Sequence, residues 1–328
     1  MAYSAEIMQR ARRRLEEKRA DKESRFRQNQ QSAYAQVPRL REIDIALRSS
    51  MAQAARAAFV SGADGKAALE QVRQENLALQ QEYKTLVEAN FPADFLDESP
   101  ICPHCGGKGY VGAAMCRCLA ELCLEEQRRE LAELTTGTER FAAFRLDYYP
   151  DQLDPNYGAS PRFIMERTLS YCKQYAAKFG PGVGNILFVG GTGLGKTFLS
   201  ACIANEVVEK GYSIAYESAP QLFAKLERDR FNPDEESQRQ VKNLTECDLL
   251  IIDDLGTEMA GNFVTAAFYS LLSQRLLAGK AMVISTNLTA PELSQRYSPQ
   301  IASRIQGEFK GLTFVGNDIR ILKARGVL

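Results

Sequence analysis

Short apolar runs alternate with helical stretches in the second half of the chain, from residue 182 onward. The runs contain mainly Ile, Val, Leu and Phe, and we predict strands at Ile186–Val189, Ser213–Glu217, Leu249–Asp253, Ala281–Thr286 and Leu312–Val315. Strands separated by helices indicate a mostly parallel sheet that is covered by helices on both faces. The pattern therefore predicts an α/β domain.

The first third of the chain has a different, helical periodicity. Apolar positions recur at spacings of three and four as Leu40, Ile43, Leu47, Met51, Ala54 and Ala58, and again, beyond a glycine-containing breaker, as Leu69, Val72, Asn76, Leu79, Tyr83 and Leu86. This spacing predicts an antiparallel helical hairpin over residues 37–90. Its apolar stripe can pack on the rest of this protein or on a partner, and both interpretations stay open. Residues 1–36 are polar with a basic run, which is typical of a solvated helix face or a frayed terminus, with contact to phosphates as the alternative.

Composition narrows the classes of function. The chain has 328 residues, with 41 Lys and Arg balanced by 41 Asp and Glu, which excludes a globally basic nucleic-acid coat. His104 is the one histidine and lies between two cysteines, which argues against a Ser-His-Asp triad and a His-rich catalytic metal centre. The apolar runs are too short to cross a bilayer, and the N-terminus lacks an apolar signal core. We therefore expect a cytoplasmic protein with no membrane partner.

Five of the eight cysteines fall between residues 102 and 123. Cys102 and Cys105 form one close pair, and Cys116 and Cys118 form a second pair after a short glycine-rich loop. Four thiolates in two pairs can surround a Zn²⁺ ion tetrahedrally, and such a site leaves no open position for a substrate. The sequence predicts structural zinc on these four residues, with substitution of one ligand by His104 or Cys123 left open.

An uninterrupted phosphate-binding motif follows the first predicted strand. It matches G-x-x-x-x-G-K-[ST] and consists of Gly190, Gly191, Thr192, Gly193, Leu194, Gly195, Lys196 and Thr197. A helix predicted from Thr197 to Lys210 follows, so backbone N–H groups and a helix N-terminus would face the phosphates. Lys196 is predicted to reach the β- and γ-phosphates of ATP, and the Thr197 hydroxyl to bind Mg²⁺.

Polar residues follow the later strands at the edge where parallel sheets bind ligands. Asp253 is predicted to bind Mg²⁺, and Asp254 to orient or deprotonate the attacking water. Asn287 can contact both the γ-phosphate and that water. Arg304 is predicted to act as an arginine finger on the nucleotide of a neighbouring subunit, with a surface salt bridge as its alternative. Arg320 is a weaker candidate for a nucleotide contact within its own chain.

Five segments in this order resemble the AAA+ ATPases of the bacterial replicative-helicase loader group, the DnaC/DnaI type, which are related to IstB-type ATPases. They are GGTGLGKT, LLIIDDLGTE, STNL, YSPQIASRIQGEF and NDIRILK. The resemblance implies a P-loop AAA+ core with a parallel five-stranded sheet and little or no C-terminal lid. It also implies that the cysteine-bearing region ahead of the core binds a replicative helicase. Some loaders carry a further arginine that contacts the neighbouring subunit. This chain has Gln300 at that position, so the sequence does not support such an additional contact.

The resemblance also sets the expected organisation and partners. We expect a helical partner-binding region at 1–98, a zinc module at 99–125, and a linker with the ATPase domain at 126–328. The implied function is ATP-dependent loading of a hexameric replicative helicase onto single-stranded DNA, with self-association through the ATPase domain. By position, Phe231 and Phe263 are candidates for DNA contacts, although core packing is the simpler interpretation of each. The alternatives are an IstB-type transposition helper acting on duplex DNA with a transposase, and a structural zinc adaptor.

Overall fold

A computed structural model describes residues 3–58, 63–134 and 139–326, with side chains at 51–69 and 133–138 outside the description. The chain divides into two compact units. One contains residues up to Arg12 together with those from Ala120 onward, and the other contains Arg13–Leu119. No helix in the described ranges is long and apolar enough to cross a membrane.

The unit formed by Arg13–Leu119 is mainly helical. Its elements, two of which extend into the other unit, are α1 (Ala5–Gln36), α2 (Pro38–Ala58), α3 (Ala63–Asn90), the two-stranded hairpin β1 (Tyr110–Val111) and β2 (Ala114–Met115), and α4 (Arg117–Leu134). Arg39, near the start of α2, lies 2.7 Å from the carboxylate of Glu82, near the end of α3. The two helices therefore run antiparallel, and the predicted hairpin is confirmed.

The apolar stripe of the hairpin packs partly on its own unit. Leu40 is fully buried in a cluster that contains Ala33 of α1 and Tyr83 and Leu86 of α3. Phe91 stacks on Phe95 at a centroid distance of 4.9 Å and extends this cluster. Burial of each large apolar side chain contributes about 1.5–3 kcal/mol. The stripe positions from 51 to 69 lie outside the described side chains.

The unit that begins again at Ala120 contains the predicted parallel sheet. Two single turns of 3₁₀-helix, Phe141–Ala143 and Leu146–Tyr148, precede α5 (Pro161–Ala177), β3 (Asn185–Val189), α6 (Lys196–Glu209), β4 (Ile214–Ser218), α7 (Ala219–Phe231), α8 (Glu235–Glu246), β5 (Leu249–Leu255), α9 (Asn262–Leu277), β6 (Ala281–Thr286), α10 (Ala290–Arg296), α11 (Pro299–Glu308), β7 (Phe309–Thr313) and α12 (Ile319–Ala324). The five strands are all parallel, in the order β4-β5-β6-β3-β7. The predicted fold class is confirmed.

Both faces of this sheet are buried. Successive residues of a strand point to opposite sides of the sheet, so each strand contributes side chains to two cores. Ile186, Ile251 and Val283 face a core that includes residues of α5 and α6. Leu250 and Ile284 face a second core formed with α7 to α11. The near-continuous apolar strands of the sequence are therefore explained by a sheet covered on both sides.

The last strand begins earlier than the sequence pattern predicts. The predicted strand at Leu312–Val315 is observed at Phe309–Thr313, paired in parallel with β3. Phe314 and Val315 are buried beyond its end. Apolar and polar residues alternate only weakly in the run Phe309-Lys-Gly-Leu-Thr313, because an edge strand needs fewer apolar residues. The sequence pattern therefore placed the strand over the apolar pair that follows it.

A fully buried arginine fastens the amino-terminal edge of the sheet. The guanidinium of Arg275 on α9 donates to the carbonyl oxygen of Leu244 on α8 at 2.8 Å and to that of Ala281 on β6 at 2.6 Å. It also donates to the Sγ of Cys247 at 3.3 Å. Burying a charge is costly unless it is hydrogen-bonded. Both terminal nitrogens of this guanidinium have main-chain acceptors, whereas its Nε has no partner among the described residues.

Candidate functional site

The phosphate-binding loop lies where β3 ends and α6 begins. Gly193 and Gly195 have φ angles of +72° and +90°, in the left-handed region that favours glycine. At Gly190 a Cβ atom would lie 2.4 Å from the carbonyl oxygen of Phe314, so the backbones of β3 and the segment after β7 approach closely there. These glycines allow main-chain N–H groups to turn toward one concave surface, which is the geometry of an anion site.

Lys196, the first residue of α6, is held inside this loop. Its Nζ atom donates to the carbonyl oxygens of Gly190 at 2.8 Å and Gly191 at 2.6 Å. Burial lowers the pKa of the Lys196 ammonium, and the charges of Asp254 and Asp253 oppose that shift. The cation is thus close to both carboxylates and positioned within the anion site.

A cleft of roughly 260 Å³ opens over the loop. It is lined by the loop residues Thr192 to Phe198, by Ala143, Phe144, Arg145, Tyr148 and Tyr149, by Asp254, and by Ile319, Arg320 and Lys323. Phe144 stacks on Tyr149 at a centroid distance of 5.7 Å. The ammonium of Lys323 lies 5.1 Å from the centre of the Tyr148 ring. One wall of the cleft is therefore aromatic and cationic, which suits a planar base carrying phosphates.

The short helix α12 also lines the cleft. Asp318 caps it, accepting hydrogen bonds from the backbone N–H of Arg320 at 2.9 Å and Ile321 at 3.3 Å. The backbone N–H of Ile319 donates to the carbonyl oxygen of Gly193 at 3.0 Å. Arg320, the weaker sequence candidate, thereby lies in the cleft beside the phosphate loop.

Asp253 and Asp254 stand at the carboxyl end of β5. Asp253 is buried, and its Oδ2 accepts from the hydroxyl of Tyr216 at 3.3 Å while its Oδ1 accepts from the hydroxyl of Ser285. Asp254 lines the cleft. Its φ is +54°, and no other non-glycine residue in the described ranges has a positive φ. Burial, and then the charge of Asp253, raise the pKa of the Asp254 carboxyl. A carboxylate with a raised pKa is suited to accept a proton.

The oxygen ligands present fit a magnesium ion. Mg²⁺ prefers carboxylate and hydroxyl oxygens together with phosphates and water. Thr197 lines the cleft, and the charge of Asp253 acts on Lys196 within the same loop. These residues therefore supply the donor set that a magnesium nucleotide needs, and when bound the ion would neutralise phosphate charge.

Two further sequence candidates lie on the later elements of the sheet edge. Asn287 is exposed directly after β6. Arg304 on α11 donates to the hydroxyl of Tyr269 on α9 at 3.1 Å, and its guanidinium lies 5.0 Å from the centre of that ring. Tyr269 is itself exposed, so Arg304 is held on the surface of its own subunit by an aromatic side chain.

The four predicted cysteine ligands come together in the other unit. The sulfur atoms of Cys102, Cys105, Cys116 and Cys118 all lie within 4.8 Å of one another. Cys102 and Cys116 are 3.8 Å apart, and Cys105 and Cys118 are 3.4 Å apart. A tetrahedral ZnS₄ centre with bonds of about 2.3 Å has sulfur atoms about 3.8 Å apart. The cluster therefore matches the size of a structural zinc site.

The pKa values of the thiols are shifted in both directions. For Cys116 a backbone hydrogen bond opposes the shift, but burial and the neighbouring thiols raise the pKa, and burial raises that of Cys118. Burial opposes ionisation of Cys105, but the N–H of Gly109, 3.2 Å from its sulfur, and the neighbouring thiols lower its pKa to about 6. Hydrogen bonds from main-chain N–H groups stabilise a thiolate in this way. His104 is exposed, and Cys123 contacts Met8 at 4.0 Å in the other unit. The four-cysteine set is thus the arrangement that the structure brings together.

Phe231 and Phe263 form a surface pair. Their ring centroids are 5.6 Å apart at an interplanar angle of 48°. Phe231, the last residue of α7, is 62% exposed. Core packing was the simpler expectation for each residue, and it is wrong for Phe231 because its ring is mostly exposed, whereas Phe263 is half-buried.

Comparison with known proteins agrees with this geometry. Residues 161–305 match the family described as IstB-like ATP binding protein. This match and the relatives described next confirm the predicted resemblance to AAA+ ATPases of the helicase-loader group. The matched region contains the phosphate loop, Asp253, Asp254, Asn287 and Arg304.

Two curated relatives share this region. The replicative helicase loader DnaC of Escherichia coli K12 is 24% identical over 42% of this chain and 56% of its own length. The replicative helicase loader DnaI of Bacillus subtilis 168 is 26% identical over 41% of this chain and 42% of its own length. The chain thus spans about half the length of these two relatives. A crystal structure of the DnaC helicase loader superposes with a TM-score of 0.44, at 20% identity, over 53% of this chain and 98% of that one.

Proposed function

We propose that this protein is an ATP-hydrolysing loader that places a hexameric replicative helicase on single-stranded DNA. The proposed ATPase activity rests on one observation: a complete phosphate loop and two carboxylates lie together at one edge of the sheet. Lys196 is held in the loop, and Asp254 lines the cleft above it. The similarity to proteins named replicative helicase loaders supports the choice of helicase as partner.

Each residue then has a role in hydrolysis. Lys196 binds the β- and γ-phosphates, and Thr197 and Asp253 hold Mg²⁺, which supplies charge neutralisation of the phosphates. Asp254 accepts a proton from the attacking water, since its pKa is raised. Asn287, exposed at the end of β6, orients that water.

Arg304 acts in a second copy of the chain. Its guanidinium is on the surface against Tyr269, from which it can be presented to the nucleotide of a neighbouring subunit. An arginine finger supplied in trans stabilises the charge that develops on the transferred phosphoryl group. Self-association through the ATP-binding domain would therefore couple hydrolysis to assembly. Arg320 contacts the nucleotide within its own subunit.

The amino-terminal parts bind the helicase. We retain a helical partner-binding region at 1–98, a zinc module at 99–125 and the ATPase with its linker at 126–328. Zinc on the four clustered cysteines folds a segment too small for an apolar core. The hairpin then presents its exposed apolar residues, which include Ile45 and Leu77, to a protein partner. Phe231 and Phe263 are proposed to stack on bases of single-stranded DNA, which is supported by the exposure of Phe231.

The test is a loading assay with full-length protein and the hexameric replicative helicase of its host. Circular single-stranded DNA coated with single-strand-binding protein admits the helicase only when a loader acts. We expect unwinding that needs this protein and ATP, and that is lost in Lys196→Ala. Absence of any stimulation, with the helicase bound or unbound, contradicts the loader proposal.

A transposition helper is the second candidate, because the matched family is described as IstB-like. Such a protein acts on duplex DNA with a transposase. Gel-shift titration with duplex and single-stranded DNA of equal length separates the two proposals. Preference for single strands supports the loader, and ATP-dependent assembly on duplexes supports the helper.

A further inference from the structure

The carboxylate of Asp253 is held by two buried hydroxyl groups from the neighbouring strands. The Tyr216 hydroxyl on β4 lies 3.3 Å from its Oδ2, and the Ser285 hydroxyl on β6 donates to its Oδ1. Tyr216 and Ser285 are 7% and 0% exposed, so water does not compete for these hydrogen bonds. One donor on each side fixes the rotation of the carboxylate about its Cβ–Cγ bond.

Ser285 has a second partner in the adjacent residue. Its Oγ accepts a hydrogen bond from the backbone N–H of Asp254 at 2.8 Å. Asp254 has the left-handed φ of +54°, at an irregularity in pairing between Ile252 and Leu255. A left-handed conformation costs a non-glycine residue energy and persists only when its surroundings hold it. The Ser285 hydroxyl therefore links the orientation of one carboxylate to the backbone of the other.

We infer that Tyr216 and Ser285 are positioning residues: Tyr216 orients Asp253 toward a divalent cation, and Ser285 orients Asp253 and Asp254 together. This inference rests on the proposed nucleotide site. Groups that hydrogen-bond to metal-binding side chains set their direction, and their removal lowers metal affinity by about 10–100-fold. Neither residue needs to touch the nucleotide, since each acts through a carboxylate.

Tyr216→Phe and Ser285→Ala test the inference by removing one hydroxyl each. Matched controls are available in the same unit. Tyr175→Phe removes another buried hydroxyl, which donates to the carbonyl oxygen of Gly184 at 3.1 Å. Ser200→Ala removes a buried hydroxyl that has no hydrogen-bond partner within the described residues. Each control makes the same chemical change away from the carboxylates.

The measurement is the affinity of the full-length protein for ATP by calorimetry, in Mg²⁺ and again in EDTA. The ratio of the two affinities reports the contribution of the cation without any need for turnover. We expect Tyr216→Phe to lower this ratio about 10-fold and to leave the EDTA affinity unchanged. Ser285→Ala should lower the ratio similarly and also lower kcat beyond Tyr216→Phe, because it releases Asp254. The controls should match the wild type.

The outcomes separate this inference from the proposed function. A wild-type protein that does not bind ATP, or binds it without any effect of Mg²⁺, contradicts the proposed nucleotide site and the inference with it. A wild-type effect of Mg²⁺ that both variants retain in full overturns the inference alone. Equal loss of affinity in Mg²⁺ and in EDTA also overturns it, because a general structural role then explains the result. Tyr216→Phe keeps the buried ring, so its fold is preserved if Ser285→Ala fails to fold.

Discussion

Replacing Gly193 by alanine should uncouple α12 from the phosphate loop. Gly193 has a φ of +72°, and a Cβ atom there would lie 2.0 Å from Oδ1 and 2.2 Å from Cγ of Asp318. Alanine must therefore bear a left-handed conformation and displace the Asp318 side chain. The first effect costs about 1–2 kcal/mol. Displacement removes the cap of α12, which costs about 1 kcal/mol. The expected loss in the free energy of unfolding is about 2–3 kcal/mol.

A double-mutant cycle isolates the second effect. Asp318→Ala already lacks both the cap and the clashing carboxylate, so adding Gly193→Ala should then cost only the conformational part. We expect a coupling of about 1 kcal/mol between the two positions in urea unfolding followed by circular dichroism. Gly191→Ala is the matched control, because a Cβ there meets only Leu194 at 3.7 Å and its φ is not positive.

Two results would refute this reasoning. One is a Gly193→Ala protein as stable as the wild type, which would mean that the loop relaxes without cost. The other is an undiminished loss in the Asp318→Ala background, which would remove Asp318 from the explanation. ATP affinity should follow the same order as stability, because α12 carries Arg320 into the cleft.

The other predictions concern the separate roles of the site residues. Lys196→Ala should lose ATP binding in a nucleotide titration, whereas Asp254→Asn should bind ATP and lose turnover; wild-type hydrolysis by Lys196→Ala would place the site elsewhere. Elemental analysis should find one zinc per chain in freshly reduced protein and none in Cys102→Ser, and a metal-free wild type would disprove the zinc assignment. Arg304→Ala should bind ATP and helicase normally but fail to load the helicase onto single-stranded DNA, and normal loading would leave Arg304 as a surface residue.

Features built from contiguous residues were predictable from the sequence. The phosphate loop needs its glycines, lysine and threonine at fixed spacing because consecutive N–H groups surround one anion. The cysteine pairs are similarly local, and the structure brings all four together. Asp253 and Asp254 were found because acids that end an apolar run lie at the carboxyl edge of a buried strand.

Features that depend on which strands are neighbours were not predictable. Tyr216 reaches Asp253 only because β4 lies next to β5, and Ser285 does so from β6 on the other side. In the sequence, both residues look like ordinary members of apolar strands. The aromatic wall of the cleft was missed because Tyr149, which follows a 3₁₀ turn, meets the phosphate loop at Leu194 across a large separation in sequence. Strand order, and not residue type, decides these contacts.

The buried guanidinium of Arg275 fixes the amino-terminal edge of the sheet and leaves the carboxyl-terminal edge free to adjust. From the last turn of α9, its two terminal nitrogens donate to the end of α8 and to the start of β6 in one rigid plane, a geometry that the single ammonium of lysine cannot reproduce. These elements therefore keep a common frame of reference at the amino-terminal edge. We therefore expect any rearrangement on a change of nucleotide at the opposite edge, which carries Asp254 and Asn287. A substitution at position 275 would therefore loosen the relative positions of α8, α9 and β6, even though the residue is remote from the nucleotide cleft.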